Sequence, residues 1–349
     1  MGVYGFVSHF LDASGLAARY RFGSVVPSAI VEAAGKYLLP PSVLKAPAVS
    51  SRYGSASGWL AYVSLTARQV RDLPRSTVIR KAGAGVQAAK RRGATVAGLG
   101  FTPALARESA QAIARAAGVP VITGSGFALS VAVDAIGLAA RSIGFDLQGA
   151  GVTVAGWPSP AGEVCAHLLA RVCCRLTLAG PAGAGWRGLA GSIMESTGLS
   201  PRITADTAAA ASRSDVVVMA GAVNGLETAT FKRGSVVWDL AGSAVAILRH
   251  AERRGVLVID GGLVEAPQDR ADPADPPSLV EPALAAVMAV AMEERFDGRL
   301  EGREVSVAEA DEMKRLAERH GFRTAGPAQA GRLLGPAEID RVTGGGYVP

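Results

Sequence analysis

The chain has 349 residues, of which 49% are hydrophobic and 19% charged, and its net charge is +6. This apolar content excludes a largely disordered chain, and the length predicts about two domains. The three cysteines, Cys165, Cys173 and Cys174, form neither a disulfide framework nor a zinc-binding pattern. The N-terminus lacks the pattern of a signal peptide, and no apolar stretch reaches about 20 residues without charge. The sequence therefore predicts a cytoplasmic protein without a membrane span.

The first part of the chain predicts a mixed α/β region. A strand is predicted over 2–8, a mixed segment containing prolines over 12–50, and a β-hairpin over 46–66 around Tyr53-Gly54-Ser55. Further along, the pattern predicts a helix with a basic face (77–92), a strand (95–102), a helix (103–117), a strand (119–123) and a long apolar helix (125–144).

From Gly151 the pattern changes to alternating strands and helices. Strands are predicted over 152–156, 175–179, 201–204, 215–220, 235–240 and 255–260, with helices over 162–172, 188–197 and 208–214 between them. Continuous Val- and Ile-rich runs indicate strands buried on both faces, which is typical of a parallel sheet. Two further helices are predicted over 281–296 and 307–321.

These elements predict an α/β protein with a doubly wound, parallel-sheet Rossmann domain. We expect an N-terminal α/β substrate domain over 1–146 and the NAD(P)-binding domain over 147–266. Residues 267–349 would supply a linker and helices that pack back on the first domain.

The segment 152–162 is a candidate cofactor loop, because it joins the first strand of the predicted Rossmann domain to a helix. Backbone amides and the helix dipole favour a pyrophosphate at such a junction. Gly156 and Gly162 bracket the loop, and Ser159 stands where a middle glycine is expected. Pro158 and Pro160 remove two amide donors. The alternative is a domain that has lost nucleotide binding.

The second predicted strand ends without the acidic residue that usually binds the ribose of NAD(H), and Arg187 follows it. This favours NADP(H) over NAD(H). After the sixth strand, Gly261 and Gly262 would let a nicotinamide ring approach, or would simply form a turn.

Three polar residues are candidates for the chemistry. Ser125 could hold a substrate oxygen or phosphate, or act only as a helix N-cap. Asp239 ends the fifth strand, on the edge where α/β sheets bind ligands, or it fixes a loop. Lys81 could polarise a carbonyl or lie on a solvated helix face. No pattern of ligands indicates a metal site.

The segment 68–92 is strongly basic: it contains eight Arg and Lys residues against one acid, Asp72. Such a patch attracts an acidic partner, and salt weakens the attraction. No helix-turn-helix, zinc-finger or aromatic RNA-binding pattern accompanies it, so nucleic acid is not the expected partner.

Several local patterns in one order resemble the long-chain acyl-[acyl-carrier-protein] reductases, which form fatty aldehydes, and more widely the shikimate-dehydrogenase-like oxidoreductases. They are GFVSHF (5–10), PPSVL (40–44), IRKAGAGVQAAKRRGATVAGLG (79–100), VITGSGF (121–127), the loop 156–162, the strands DVVVMAGA, VVWDLA and LVIDGGLVE, and FDG (296–298) with RHGF (319–322). The resemblance implies an NADPH-dependent reductase that takes an acyl group from an acidic carrier protein onto a cysteine.

The chain departs from that family at the nucleophile. The position matching the family's cysteine is about Val287, and no Cys, Ser or Thr lies between Glu281 and Asp297. Valine cannot be acylated, so the covalent route is closed there. Phe127 stands where the family carries a histidine. Cys165 lies at the start of the helix after the loop, where a thiolate would be favoured, but a small buried packing residue is also expected there.

The sequence is compatible with two functions. The first is an NAD(P)(H)-dependent oxidoreductase that transfers hydride directly to or from a carbonyl, alcohol or acyl substrate. Its substrate would be lined by 123–130 and 283–292, and the segment 68–92 could dock an acidic carrier protein. The second is a catalytically degenerate Rossmann protein that binds a nucleotide, lipid or protein partner without turnover.

Overall fold

The structure, a computed structural model, describes residues 1–22, 26–100, 107–156, 159–181, 183–221, 226, 231–242, 252, 254–267, 278–293 and 305–343. In chain order the elements are β1 (Gly2–Phe10), α1 (Ala13–Arg19), α2 (Ser28–Tyr37), β2 (Ser42–Ser51), β3 (Gly54–Thr66), α3 (Ala67–Asp72), α4 (Arg75–Lys90), β4 (Val96–Leu99), α5 (Arg107–Ala117), β5 (Val121–Ile122), α6 (Ser125–Ile143), β6 (Gly151–Ala155), α7 (Pro160–Ala170), β7 (Arg175–Ala179), α8 (Ala184–Thr197), β8 (Arg202–Thr204), α9 (Thr207–Arg213), β9 (Val216–Met219), β10 (Val236–Trp238), β11 (Leu257–Ile259), β12 (Gly261–Ala266), β13 (Ser278–Val280), α10 (Pro282–Met292), α11 (Val307–Arg319), β14 (Arg323–Gln329), β15 (Arg332–Leu333) and α12 (Pro336–Thr343).

The chain forms two compact units. Unit 1 comprises Met1–Gly124, Ala266–Glu304 and Arg315–Phe322, and unit 2 comprises Ser125–Glu265, Val305–Lys314 and Arg323–Pro349. The first boundary therefore lies before α6, not at 146 as the sequence predicts. The reason is packing: Leu129 and Ile136 of α6 belong to the same buried cluster as Val152 and Val154 of β6.

Unit 1 contains a five-stranded sheet in the order β2-β3-β1-β4-β5. β1 runs parallel to β3 and to β4, whereas β2 is antiparallel to β3 and lies at the edge. The β2–β3 pair is the predicted hairpin, with Ser51 opposite Gly54 across a two-residue turn. A register shift between Ala46 and Val49 interrupts the pairing of the edge strand.

Unit 2 contains a six-stranded parallel sheet in the order β11-β10-β9-β6-β7-β8. Numbered within the unit, this is the strand order 3-2-1-4-5-6 of the Rossmann fold. Strand β9 is covered on both faces, because Val216 and Val218 are fully buried in one core cluster and Val217 and Met219 are fully buried in another. The predicted fold class is therefore confirmed by the strand order of the chain itself.

The sequence did not predict the antiparallel strands that follow the Rossmann sheet. β12 pairs with β14, and β14 pairs with β15. Helices α1, α2, α3 and α12 were also not predicted. By contrast, the six parallel strands lie within one or two residues of their predicted positions.

Among the described residues, one helix, α6, is long and apolar enough by length and composition to cross a membrane. Of its most apolar window, 67% is buried inside the protein. The core helix of a globular unit meets the same criteria, so the expectation of no membrane span stays a prediction.

Candidate functional site

The turn that follows β6 requires glycine at its first position. Gly156 adopts φ +85°, a conformation that residues with a side chain rarely occupy. A Cβ on Gly156 would lie 2.9 Å from the backbone nitrogen of Gly221. The Gly156 amide donates a hydrogen bond to the Ala179 carbonyl, 3.1 Å away. The first strand of the Rossmann sheet therefore ends in a turn that requires glycine, both for its φ and for the close approach of the Gly221 backbone.

Ser159 caps the helix that follows this turn. Its Oγ accepts the Gly162 amide at 3.1 Å and donates to the Ala220 carbonyl at 3.1 Å. Pro160 has no amide hydrogen, and the Glu163 amide already donates to the Ser159 carbonyl. In the described part of the turn, this leaves the Ala161 amide as the first-turn donor available to a ligand.

Gly162 provides the close packing expected of the last loop glycine. A Cβ at this position would lie 2.9 Å from Cβ of Ala220. Trp157 and Pro158, which the sequence places inside the loop, lie outside the described residues. Among the described residues, the Ala161 amide could donate to a pyrophosphate, whereas the Ser159 hydroxyl already accepts the Gly162 amide.

The end of the second Rossmann strand is covered by an aromatic ring. Trp186 is buried, and its indole nitrogen donates to the Pro181 carbonyl at 3.0 Å. A Cβ on Gly180 would lie 2.7 Å from Cζ2 of this ring. Arg187 is exposed, and no described acidic side chain forms an ion pair with it. Arg187 is therefore exposed to solvent on helix α8.

Two aspartates follow neighbouring strands at the carboxyl edge of the Rossmann sheet. Asp239 is buried, and its amide donates to the Ile259 carbonyl at 3.0 Å. The carboxylate of Asp260 accepts the Ala330 amide at 2.6 Å. Although the Asp260 residue is exposed, partial burial raises the pKa of its carboxyl, and the Asp239 charge raises it further. The sequence analysis did not select Asp260 as a candidate site residue. It could have been found by the same reasoning as Asp239, because it is an acidic residue directly after the sixth predicted strand.

Gly261 and Gly262 do not form the predicted turn, because they begin strand β12. Gly262 faces helix α6: a Cβ there would lie 2.9 Å from Cβ of Ala135 and 3.0 Å from Cγ1 of Val131. A Cβ on Gly261 would meet nothing within 4 Å. Gly262 thus serves strand-to-helix packing rather than ligand approach.

Ser125 is exposed and is the first residue of helix α6, not the residue before it. The carboxylate of the buried Glu309 lies against Gly126, so closely that a Cβ on Gly126 would overlap it. A carboxylate at a helix N-terminus is stabilised by the helix dipole. Unit 2 therefore already places a carboxyl group at this helix start, which disfavours a substrate phosphate beside Ser125.

Lys81 has neither of the predicted roles. Its residue is only 7% exposed, so the solvated helix face is wrong. Its ammonium donates to the Gly35 carbonyl at 2.6 Å and to the Leu39 carbonyl at 3.0 Å. These carbonyls belong to the end of α2 and the residues after it, where helices leave acceptors unpaired. Lys81 therefore ties α4 to the end of α2, and we assign it a structural rather than a catalytic role.

Several other basic residues of the segment 68–92 also have structural partners. Lys90 donates to the Ala117 carbonyl at 2.8 Å, at the end of α5. The remaining contacts are Arg68 with Glu32, Arg71 with Asp72, and Arg92 stacked over the Trp59 ring. Three exposed arginines of the segment have neither an ion pair nor a ring contact among the described residues: Arg75, Arg80 and Arg91.

The buried cysteines are unsuited to nucleophilic chemistry. Cys165 is fully buried, and burial raises the pKa of its thiol far above the ordinary range. Burial likewise raises the pKa of Cys173 to about 11. A reactive cysteine needs the opposite shift. Val287, at the position of the family's cysteine, is fully buried, and a Cβ on Gly98 would lie 2.9 Å from its Cβ.

In the part of the chain that the structure describes, no group of three or more His, Cys, Asp or Glu side chains could hold a metal ion. The absence of a metal site remains a prediction for the whole chain.

Comparison with known proteins gives structural similarities only. No protein-family model matches the chain, and no curated protein matches it significantly. It is similar to quinate dehydrogenase from Corynebacterium glutamicum in complex with NAD, with 15% identity over 89% of this chain and 98% of that one and a TM-score of 0.33. It is similar to shikimate dehydrogenase from Aquifex aeolicus, with 14% identity over 90% and 98% and a TM-score of 0.36. It is also similar to 5-ketofructose reductase of Gluconobacter sp. strain CHM43, with 14% identity over 91% of this chain and 98% of that one and a TM-score of 0.34. At TM-scores this low, the similarities carry no argument about activity.

Proposed function

We propose that unit 2 binds a nicotinamide dinucleotide and that the protein is an oxidoreductase acting on a carbonyl, alcohol or acyl substrate. The observation that carries the proposal is the turn at Gly156, which combines a positive φ with the absence of a side chain at the end of the first strand. In the 3-2-1-4-5-6 sheet, that strand lies at the point where the strand order reverses, which is where such folds bind dinucleotides.

The Ala161 amide would donate to the pyrophosphate, and Gly156 and Gly162 would contribute by lacking side chains on either side of it. When bound, the nicotinamide would supply or accept a hydride. The protein's own contribution would be to position the substrate and to manage a proton. Asp260 is suited to the proton, because burial and the neighbouring Asp239 keep its pKa above that of an ordinary aspartate. Ser125 stays a candidate for holding a neutral substrate oxygen.

Binding should depend on Gly162. The substitution Gly162→Asp adds a negative charge beside the Ala161 amide and a Cβ against Ala220. We expect it to weaken NADPH binding at least about tenfold, because like charges in this range repel by a few kcal/mol. Isothermal titration calorimetry with NADPH and NADH measures the effect.

The matched control is Gly191→Asp on helix α8, which adds the same charge where a Cβ meets nothing within 4 Å. Equal affinity of wild type and Gly162→Asp would refute the placement of the pyrophosphate. If wild-type protein binds neither cofactor at millimolar concentration, the oxidoreductase proposal fails.

The proposal includes a preference for NADP(H) over NAD(H), supported by the exposed Arg187 and by the lack of an acid between Leu178 and Arg187. Replacing Arg187 with glutamate should weaken NADPH binding about tenfold or more, because a charge-assisted hydrogen bond to the 2′-phosphate is lost. NADH binding should change little. Arg213→Glu on α9 is the control for net charge, and an equal loss for both cofactors would contradict the preference.

A second candidate function is a Rossmann protein that has lost turnover and binds a nucleotide, lipid or protein partner. The observation that favours it is Ser159, which occupies the Gly162 amide with its own hydroxyl. Replacing Ser159 with glycine frees this amide and costs only a few tenths of a kcal/mol of helix stability. If the hydroxyl competes with pyrophosphate, Ser159→Gly should bind NADPH more tightly than wild type does.

We further propose that the protein binds an acidic carrier protein. The proposed binding surface consists of three exposed arginines, Arg75, Arg80 and Arg91. Charge attraction to this group would weaken with salt. Triple replacement with serine should abolish any salt-sensitive binding of an acidic acyl-carrier protein, measured by the same calorimetry.

A further inference from the structure

Unit 1 contains a hydrogen-bonded chain of three side chains that the proposed function does not use. Ser51 Oγ lies 3.0 Å from Nδ1 of His320, and Nε2 of His320 lies 2.9 Å from Oε1 of Glu293. Ser51 ends strand β2, Glu293 follows helix α10, and His320 follows helix α11. Because 269 residues separate Ser51 from His320, tertiary folding rather than a local motif brings them together.

The partners favour one tautomer of a neutral His320 imidazole. A carboxylate oxygen accepts, so a neutral ring that donates to Oε1 of Glu293 carries its hydrogen on Nε2. Nδ1 is then the unprotonated nitrogen and accepts from the Ser51 hydroxyl. This is the tautomer that a general base needs when it removes a proton from a serine.

The oxygen of Ser51 is also suited to gaining negative charge. The Tyr53 amide donates to Ser51 Oγ at 3.2 Å. The alternative acceptor for the Ser51 hydroxyl is the Gly54 carbonyl at 3.5 Å, which is longer than the contact with His320. A backbone donor on this oxygen favours its deprotonated form, which eases loss of the hydroxyl proton.

The surroundings hold the imidazole in place. His320 is 1% exposed, and the Tyr53 ring meets it edge-on at a centroid distance of 6.3 Å. Glu293 also pairs with Arg319 at 3.3 Å, and the Arg52 and Arg319 guanidinium groups lie over the Tyr53 ring. Ser51 itself is half-buried, so it retains contact with solvent. A fixed base beside a partly accessible hydroxyl is the arrangement of an activated serine.

We infer that Ser51 is a nucleophile that accepts acyl groups from activated esters and thioesters and releases them to water. Ser51 Oγ bonds to the acyl carbon, its proton passes to Nδ1 of His320, and the bond to the alcohol or thiol breaks. His320 returns the proton to the departing group. Water then attacks the acyl-serine, with His320 again as base, and gives the carboxylic acid and free Ser51. No electron is gained or lost, and water is the only co-reactant.

The test is covalent labelling of the full-length wild-type protein with an alkyl fluorophosphonate, which forms a stable adduct with activated serines. After proteolysis, mass spectrometry should find the adduct on Ser51 and not on the adjacent Ser50. Hydrolysis of p-nitrophenyl acetate should show an initial burst that labelling abolishes. Absence of an adduct on Ser51 in the wild-type protein would overturn the inference without any need for a variant.

Variants then separate chemistry from packing. His320→Gln should slow labelling about 100-fold or more, because a general base contributes at least that much. Glu293→Gln should slow it while preserving a hydrogen-bond partner for Nε2. Ser50→Ala is the matched control and should label like wild type. Labelling of Ser51 at an unchanged rate in folded His320→Gln, checked by circular dichroism, would contradict the inference. The readout needs no dinucleotide, so its failure leaves the cofactor proposal unaffected.

Discussion

Replacing Gly156 with valine should destabilise unit 2 by about 3 kcal/mol and abolish NADPH binding. A positive φ costs a side-chain-bearing residue about 1–3 kcal/mol, and a β-branched residue is the least suited to it. The new Cβ would also lie 2.9 Å from the Gly221 backbone, which cannot move as a flexible side chain could. Urea denaturation, followed by circular dichroism, measures the free energy of unfolding.

The control is Gly191→Ala on helix α8, where φ is ordinary and the space is open. Because alanine favours an exposed helix by up to about 1 kcal/mol over glycine, this variant should be as stable as wild type or more so. A Gly156→Val protein of wild-type stability would show that the turn does not have the described conformation.

The variant Lys81→Met should lose about 3 kcal/mol of unfolding free energy. Methionine keeps most of the apolar stem but leaves the Gly35 and Leu39 carbonyls without the ammonium that now donates to both. Hydrogen bonds to charged groups contribute about 1.5–3 kcal/mol each, offset in part by the cost of burying the charge. Lys45→Met, an exposed lysine of strand β2, should change stability by less than about 0.5 kcal/mol.

The pH dependence provides a second readout for Lys81. Burial, and secondarily Arg80, lower the pKa of Lys81 below the usual 10.5. Between the lowered pKa and 10.5 the unfolded chain binds more protons at this site than the folded chain does. The contribution of Lys81 to folding stability therefore rises with pH through that alkaline window. This rise should be missing in Lys81→Met, and an identical pH dependence in both proteins would contradict the burial of the ammonium.

The parallel strands could be predicted because their signal is local. Runs such as Val216–Ala220 are apolar without alternation, which is typical of a strand covered on both faces. By contrast, β12 and β14 contain Gly261, Gly262, Gly326 and Pro327, residues that weaken any strand signal. Their pairing depends on a partner more than fifty residues away in sequence, which composition does not reveal.

The sequence predicted those residues of the candidate site whose identity is determined by backbone geometry alone. Gly156 and Gly162 were found because their spacing after a strand has a steric meaning. Lys81 was misjudged because its partners, the carbonyls at the end of α2, belong to a helix that the sequence did not predict. The Ser51–His320–Glu293 chain had no sequence signal at all, since serine, histidine and glutamate at such separations are ordinary surface residues until the fold brings them together.

The interrupted edge of the first sheet bears on how the protein behaves at high concentration. β2 lies at that edge, and an unpaired strand can recruit another chain and start aggregation. Here the shift between Ala46 and Val49 breaks the row of donors and acceptors, and Pro47 contributes no amide hydrogen. The Pro47 carbonyl is already taken by the Tyr4 hydroxyl at 2.6 Å. Sheets of neighbouring molecules therefore cannot join continuously along this strand, which protects the protein from intermolecular β-pairing there.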